Sequence, residues 1–198
     1  MACSAQKRMS DLSKICLLIC AAFFWTASAQ NSARPATTAS AANIDVCKLL
    51  TNAEIEAVQG EHVEQTRPNT RASGGLLISD CLFRTTTPSK SVSVELVMRD
   101  PNSSSALTPQ EYWRKQFGSV GPETETQTSE TREGHETPNA RRITGIGQQA
   151  YWVGNPIAGA LYVLQGERFM RVSVGGVRDE KVRIERSKAI AVAALKRL

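Results

Sequence analysis

The sequence predicts an α+β domain: a single antiparallel sheet of about five or six strands with helices packed on one face. Three observations carry that prediction. Residues 91–98 alternate cleanly, with Val92, Val94, Leu96 and Met98 on one side and Ser91, Ser93 and Glu95 on the other. Two helix starts carry complete capping boxes, Thr51 with Glu54 and Thr108 with Glu111. Strand-like runs meet at short turns, Thr87–Lys90 and Gly166-Glu167, which reads as hairpin pairing.

Order is expected to begin near Ile44, so the domain spans residues 44–198. Asp45-Val-Cys-Lys-Leu-Leu50 reads as a short helical turn capped by Asp45. It runs into a helix that starts at Thr51 and stops at Gly60, a residue free to adopt the left-handed conformation that ends helices. Leu50, Ile55 and Val58 would face the core. A polar stretch with Pro68 and Gly74-Gly75 follows, to which no element is assigned. Leu76–Thr86 is then a strand with Leu77, Cys81 and Phe83 on one face, paired with Ser91–Met98 as a hairpin.

Leu107-Thr-Pro-Gln-Glu-Tyr112 is a full helix start. Thr108 caps, Pro109 takes the first helical position, and Leu107 can staple onto Tyr112. Tyr112, Trp113, Gln116 and Phe117 continue the helix to Gly118. That aromatic spacing is read as core, with a ligand platform as the rival. Residues 119–142 are rich in Thr, Glu, Gln, Arg, Gly and Pro and read as an exposed loop with room for a polar edge strand. Gln148–Val153, Ala160–Gln165 and Arg168–Val174 read as strands. Asp179–Leu198 reads as a helix covering the sheet with Ile184, Ala191, Leu195 and Leu198.

The segment ahead of the domain fixes an expected compartment. Lys7, Arg8 and Lys14 precede the apolar run Ile15–Trp25, and Ala27-Ser28-Ala29 matches the A-x-A pattern of signal-peptidase sites. The run falls short of the roughly 20 residues a membrane span needs. Residues 1–29 are therefore read as a signal peptide cleaved between Ala29 and Gln30, and residues 30–43 as a flexible spacer too poor in apolar residues to fold. Cys16 and Cys20 each follow an isoleucine, deep in the apolar run, which is not a lipobox. The expected location is periplasmic or secreted, without stable membrane insertion after cleavage.

The whole chain has 24 Lys and Arg, 19 Asp and Glu and five cysteines. Losing Lys7, Arg8, Lys14 and Asp11 with the signal leaves 21 cations against 18 anions, a mild excess that excludes nucleic acid as a partner by charge. The cations cluster late, at Arg168, Arg171, Arg178, Lys181, Arg183, Arg186, Lys188, Lys196 and Arg197. That cluster reads either as a solvated helix face or as a contact for anionic envelope polymers or lipid headgroups. Only Cys47 and Cys81 remain after cleavage, and two cysteines in an oxidising compartment read as one disulfide. Closing that loop of about 35 residues is worth roughly 3–4 kcal/mol. A metal pair or a catalytic thiol is the rival reading, without a C-x-x-C or a nearby histidine to support it.

Few chemical motifs hold up. Gly145-Ile-Gly147-Gln-Gln-Ala150 has the letters of a dinucleotide fingerprint, but strand-like Ala150–Val153 follows where a helix is needed. It reads as a tight turn. Glu130, Glu133, His135 and Glu136 form a possible metal group on a segment with no fixed geometry. A serine triad would have to use His62 or His135. The carboxylates Glu54, Glu95 and Glu111 are candidates for acid–base work only if folding brings two into one cleft. Asn102-Ser103-Ser104 is a glycosylation sequon wherever the host glycosylates.

Asp45-Val-Cys-Lys-Leu-Leu-Thr-Asn-Ala-Glu-Ile-Glu-Ala-Val-Gln-Gly60, Cys81 within a strand, and Gly145-Ile-Gly-Gln-Gln-Ala-Tyr-Trp152 follow one another in an order that resembles an actinobacterial family of secreted and lipoprotein-type proteins of unknown function. The resemblance implies an exported, disulfide-bearing α+β domain and carries no activity with it. The lack of a lipobox sets this chain apart from many such relatives. The leading functional reading is a non-catalytic binding or interaction module of the cell envelope, with a protein or small-molecule partner and no cofactor. An envelope hydrolase using carboxylates such as Glu95 or Glu111 is one alternative, and a structural envelope protein is another.

Overall fold

A disulfide-anchored turn stands at the start of the described residues. The computed structural model describes residues 44–105, 107–118 and 140–198. The expected signal peptide, its Ala29–Gln30 cleavage site, the spacer, and Glu130, Glu133, His135 and Glu136 lie outside these residues. Val46–Leu49 forms a 3-10 turn whose Asp45 carboxylate accepts the Cys47 N–H at 3.1 Å. Helix α1 (Asn52–Gln59) follows with the Thr51–Glu54 capping box formed and Gly60 left-handed at its end, φ +72°. The sequence then lays down β1 (Val63–Ser73), β2 (Leu76–Thr85) and β3 (Val92–Arg99). Helix α2 (Pro109–Phe117) precedes β4 (Ala140–Arg142), β5 (Gln149–Gly154), β6 (Gly159–Gln165) and β7 (Arg168–Val174), and α3 (Glu180–Leu195) closes the fold.

All seven strands belong to one antiparallel sheet in the order β1-β2-β3-β7-β6-β5-β4. Two meanders meet where β3 pairs with β7, Val94 opposite Val172. The α+β class and the antiparallel sheet are as the sequence predicts, with a slightly larger strand count.

The alternation in β3 sorts the molecule into two layers of core. Val92, Val94, Leu96 and Met98 meet Cys81, Phe83, Trp152, Leu161, Val163, Met170 and Val172 under the 3-10 turn, α1 and α3. This is the larger core. Val97 belongs to a second cluster on the other face, with Leu76, Tyr151, Leu164 and Phe169 beneath Trp113 and Phe117 of α2.

Three differences from the sequence reading have physical causes. The polar stretch with no assigned element is the eleven-residue strand β1, paired with β2 from Val63↔Thr85 to Ser73↔Leu76. It is an edge strand exposed at every position after Val63, so it carries no apolar alternation. Pro68 and its charges suit an edge, where a missing donor costs little and further pairing is discouraged. Helix α2 does not share the face of α1 and α3, because Val97, Leu164 and Phe169 give the opposite face an apolar patch of its own. The polar edge strand allowed for after Gly118 is β4, at Ala140–Arg142.

Candidate functional site

Cys47 and Cys81 are bonded, with their Cα atoms 5.2 Å apart. Cys81 is fully buried on the larger core face of β2, so the bond ties the opening turn to the sheet. A covalent pair of this kind is compatible with an extracellular domain. Among the described residues, no helix is long and apolar enough to cross a membrane.

Each candidate carboxylate already has a local partner. The Glu111 carboxylate accepts the Thr108 N–H at 2.8 Å and its hydroxyl at 3.1 Å, and the backbone bond in particular holds it below the usual carboxylate range. Glu54 is held at about 2, first by hydrogen bonds from Arg197 and then by the Thr51 N–H. Glu61 is lowered too, chiefly by Lys90, whose Nζ lies 2.6 Å away. Glu95 stands directly opposite Asp80, a like-charge cross-strand pair that would be unfavourable alone. Arg71 reaches across from β1 to neutralise both, at 2.8 Å to Asp80 and 3.0 Å to Glu95. Those bonds, Glu95 first, hold the Arg71 guanidinium more firmly protonated than usual.

The other motifs resolve simply. Gly145 and Gly147 have φ of +77° and +57° and turn the chain into β5, without the helix a dinucleotide site requires. Trp113, Phe117, Tyr151, Tyr162 and Phe169 pack ring against ring at 4.5–5.8 Å between centroids, so Trp113 and Phe117 of the helical aromatic run are core, while Tyr112 stays exposed, stacked on Phe169. His62 lies 2.8 Å from Glu56 at the surface. Among the described residues no group of three His, Cys, Asp or Glu side chains is placed to hold a metal.

An open groove of about 610 Å³ lies between α1 and α3. Val58, Val182 and Ala189 form its apolar floor, and Lys181, Glu185 and Arg186 rim it. Val182 is 43% exposed and Val192, further along α3, 38%. The two helices are locked together beneath it. Arg186 donates to the Gln59 carbonyl at 3.3 Å and to its side-chain oxygen at 3.0 Å. The buried Gln59 amide in turn donates to the backbone carbonyls of Lys90 and, at 2.8 Å, Gly175. Gln59 therefore fixes one wall of the groove, a role no sequence motif announces.

Charge on this face is unbalanced. Among the described residues, Arg178, Lys181, Lys188 and Lys196 make no ion pair. The acids of the neighbouring α1 region are engaged instead: Glu54 by Arg197, Glu56 by His62, and Glu61 by Lys90. Of the late cation cluster, Arg183 has turned inward, Arg197 is paired, and Arg168 and Arg171 lie on β7; Lys181 and Arg186 rim the groove, and Arg178, Lys188 and Lys196 lie outside its lining. No family model, curated protein or solved structure matches the chain.

Proposed function

We propose that this chain is an exported, disulfide-stabilised binding module of the cell envelope and that the α1–α3 groove is its binding site. The observation that carries the reading is an apolar floor rimmed by Lys181 and Arg186, which make no ion pair among the described residues, with Glu185 as the acid of the same rim. A pocket of a few hundred Å³ with an apolar lining and a few polar groups is the usual form of a ligand site. The charge at this rim selects an anionic partner with an apolar part. Export, cleavage at Ala29 and residence outside the cytoplasm belong to the same reading, supported by the leader pattern and by the Cys47–Cys81 bond.

The hydrolase alternative draws less support. A general acid needs a carboxyl raised toward neutrality. Glu54 is lowered first by Arg197 and Glu111 by its Thr108 cap, and Glu95 is occupied by Arg71. Native mass spectrometry on protein recovered from the host's extracytoplasmic fraction tests the proposal. The expected result is a retained anionic amphiphile that is lost on Val182→Asp. Hydrolytic turnover that is abolished by Glu95→Gln and untouched by Val182→Asp would overturn it.

A further inference from the structure

We propose that the outward face of α3, with the groove it shares with α1, rests on the surface of an anionic lipid bilayer. The inference takes the binding-module reading as given and names the partner. Burial along α3 divides the helix cleanly: Arg183, Ile184, Ser187, Ile190, Ala191 and Ala194 face the sheet. At helical spacing the opposite side presents Lys181, Val182, Glu185, Lys188, Ala189, Val192 and Lys196, with Arg178 just before the helix. Along the helix Lys181, Lys188 and Lys196 thus stand against Glu185, and at its start Arg178 is followed by the exposed cap Asp179 and by Glu180, whose carboxylate accepts from Trp152.

This pattern suits a membrane interface. Lysine lays its methylene stem along apolar surface and keeps its ammonium at headgroup level, so Val182, Ala189 and Val192 can approach the lipid while the cations meet phosphate. Two valines and an alanine bury too little area to insert on their own. The attraction is mainly electrostatic, with each cation near an anionic surface worth about a five-fold change in partition. The acids bordering this face are partly engaged: Arg197 pairs with Glu54 and Lys90 with Glu61, while Glu56 has no Lys or Arg partner among the described residues and meets the surface imidazole of His62. An acidic peptide is the less favoured partner. Peptide grooves read their ligands with a sheet edge, with fixed polar groups or with an apolar trough that takes successive helix anchors, whereas this groove has only Val58, Val182 and Ala189 as apolar lining and an Arg186 committed to Gln59.

The test is co-sedimentation of the protein, as its host exports it, with vesicles of phosphatidylcholine alone or with added phosphatidylglycerol, at low and high salt. Binding is expected only to the anionic vesicles and is expected to fall steeply with salt. The triple variant Lys181→Gln, Lys188→Gln, Lys196→Gln is expected to lose on the order of 100-fold in partition. The control is Arg67→Gln, Arg99→Gln, Arg142→Gln, an equal loss of charge on the opposite face of the sheet, opposite Leu82, Leu76 and Tyr151. It is expected to leave binding nearly intact.

Equal losses in the two triple variants would reduce the effect to net charge and overturn the proposal. Absence of binding to any vesicle would overturn it as well, and two soluble probes then separate what remains. Binding of monomeric oleate in the groove would leave the binding-module reading standing without the membrane. Binding of poly-glutamate alone would hand the face to an acidic protein partner. Binding of neither would end both readings.

Discussion

The guanidinium of Arg183 lies over the indole of Trp152, 5.9 Å from the ring centroid, and both side chains are 1% exposed. Arg183 has no carboxylate partner among the described residues. It donates instead to the backbone carbonyls of Asn155, Pro156 and Arg178 at 3.1–3.4 Å, tying the turn between β5 and β6 to the start of α3. Trp152 completes the link by donating its Nε1–H to Glu180 at 2.8 Å.

This arrangement needs Gly159. A Cβ built there would sit 2.3 Å from the Trp152 ring, and the backbone of β6 would have to move away from the indole. Gly159→Ala is expected to destabilise the fold by about 1–3 kcal/mol through overpacking. Urea unfolding followed by tryptophan fluorescence checks this. An unchanged midpoint would mean that the indole is not pinned between Arg183 and the strand.

Ser187 predicts a change in the opposite direction. Its hydroxyl is buried one turn beyond Arg183 and makes no hydrogen bond among the described residues. Replacing an unsatisfied polar group by an apolar one of similar shape removes a desolvation cost. Ser187→Ala is expected to be neutral or to stabilise by up to about 1 kcal/mol. A clear loss of stability by thermal unfolding would show that the hydroxyl has a partner after all.

The disulfide makes the largest single prediction for stability. Cys47 and Cys81 are 34 residues apart in sequence. Loss of the cross-link through Cys47→Ala with Cys81→Ala is expected to cost roughly 3–4 kcal/mol, read from the shift in denaturant midpoint. The same loss on adding reductant to the wild type, and no further effect of reductant on the double variant, ties the cost to the bond itself.

Acid sensitivity follows from Glu54. Arg197 grips its carboxylate at 2.8 and 3.1 Å, joining the C-terminal end of the chain to the start of α1. The folded carboxyl sits at about 2 against an ordinary 4.5. A depressed folded value means that the contribution is complete above about pH 4.5 and is lost as the pH falls through that window toward 2. Glu54→Gln retains a cap-competent amide but removes the titration. Its stability should therefore fall less between those limits than that of the wild type. The effect is modest, because the pair is half-exposed and screened. Parallel acid limbs in the two proteins would contradict the assignment.

How much of this was legible depended on where the signal resides. Local backbone chemistry was readable: Thr51 with Glu54, Thr108 with Pro109 and Glu111, and Asp179 all cap helices as their spacing implies. So were the strands buried on a face, with Arg168–Val174 bounded as read. β1 was not legible, because an exposed edge strand has no reason to alternate and is defined by its partner β2. The side of the sheet that α2 covers depends on Val97, Leu164 and Phe169, which are distant in sequence and meet only across paired strands. Arg183 and Gln59 were missed because burial of a polar side chain is decided by the carbonyls that fold against it. In the binding face, the cations were visible in the sequence, but their lack of partners was not. That became apparent only once Arg197, Lys90 and His62 were seen to hold the acids of the α1 region.

The most direct test of the account is where α3 sits when the protein is bound. Spin labels placed through Val192→Cys and, separately, Arg99→Cys would be compared on phosphatidylglycerol-containing vesicles by their accessibility to lipid-soluble oxygen and to a water-soluble nickel complex. The account predicts oxygen-rich, nickel-poor surroundings for the label on α3 and a fully aqueous one for the label on the far face of the sheet. A label at position 192 that stays in water while the protein is vesicle-bound, or one at position 99 that enters the lipid, would contradict it.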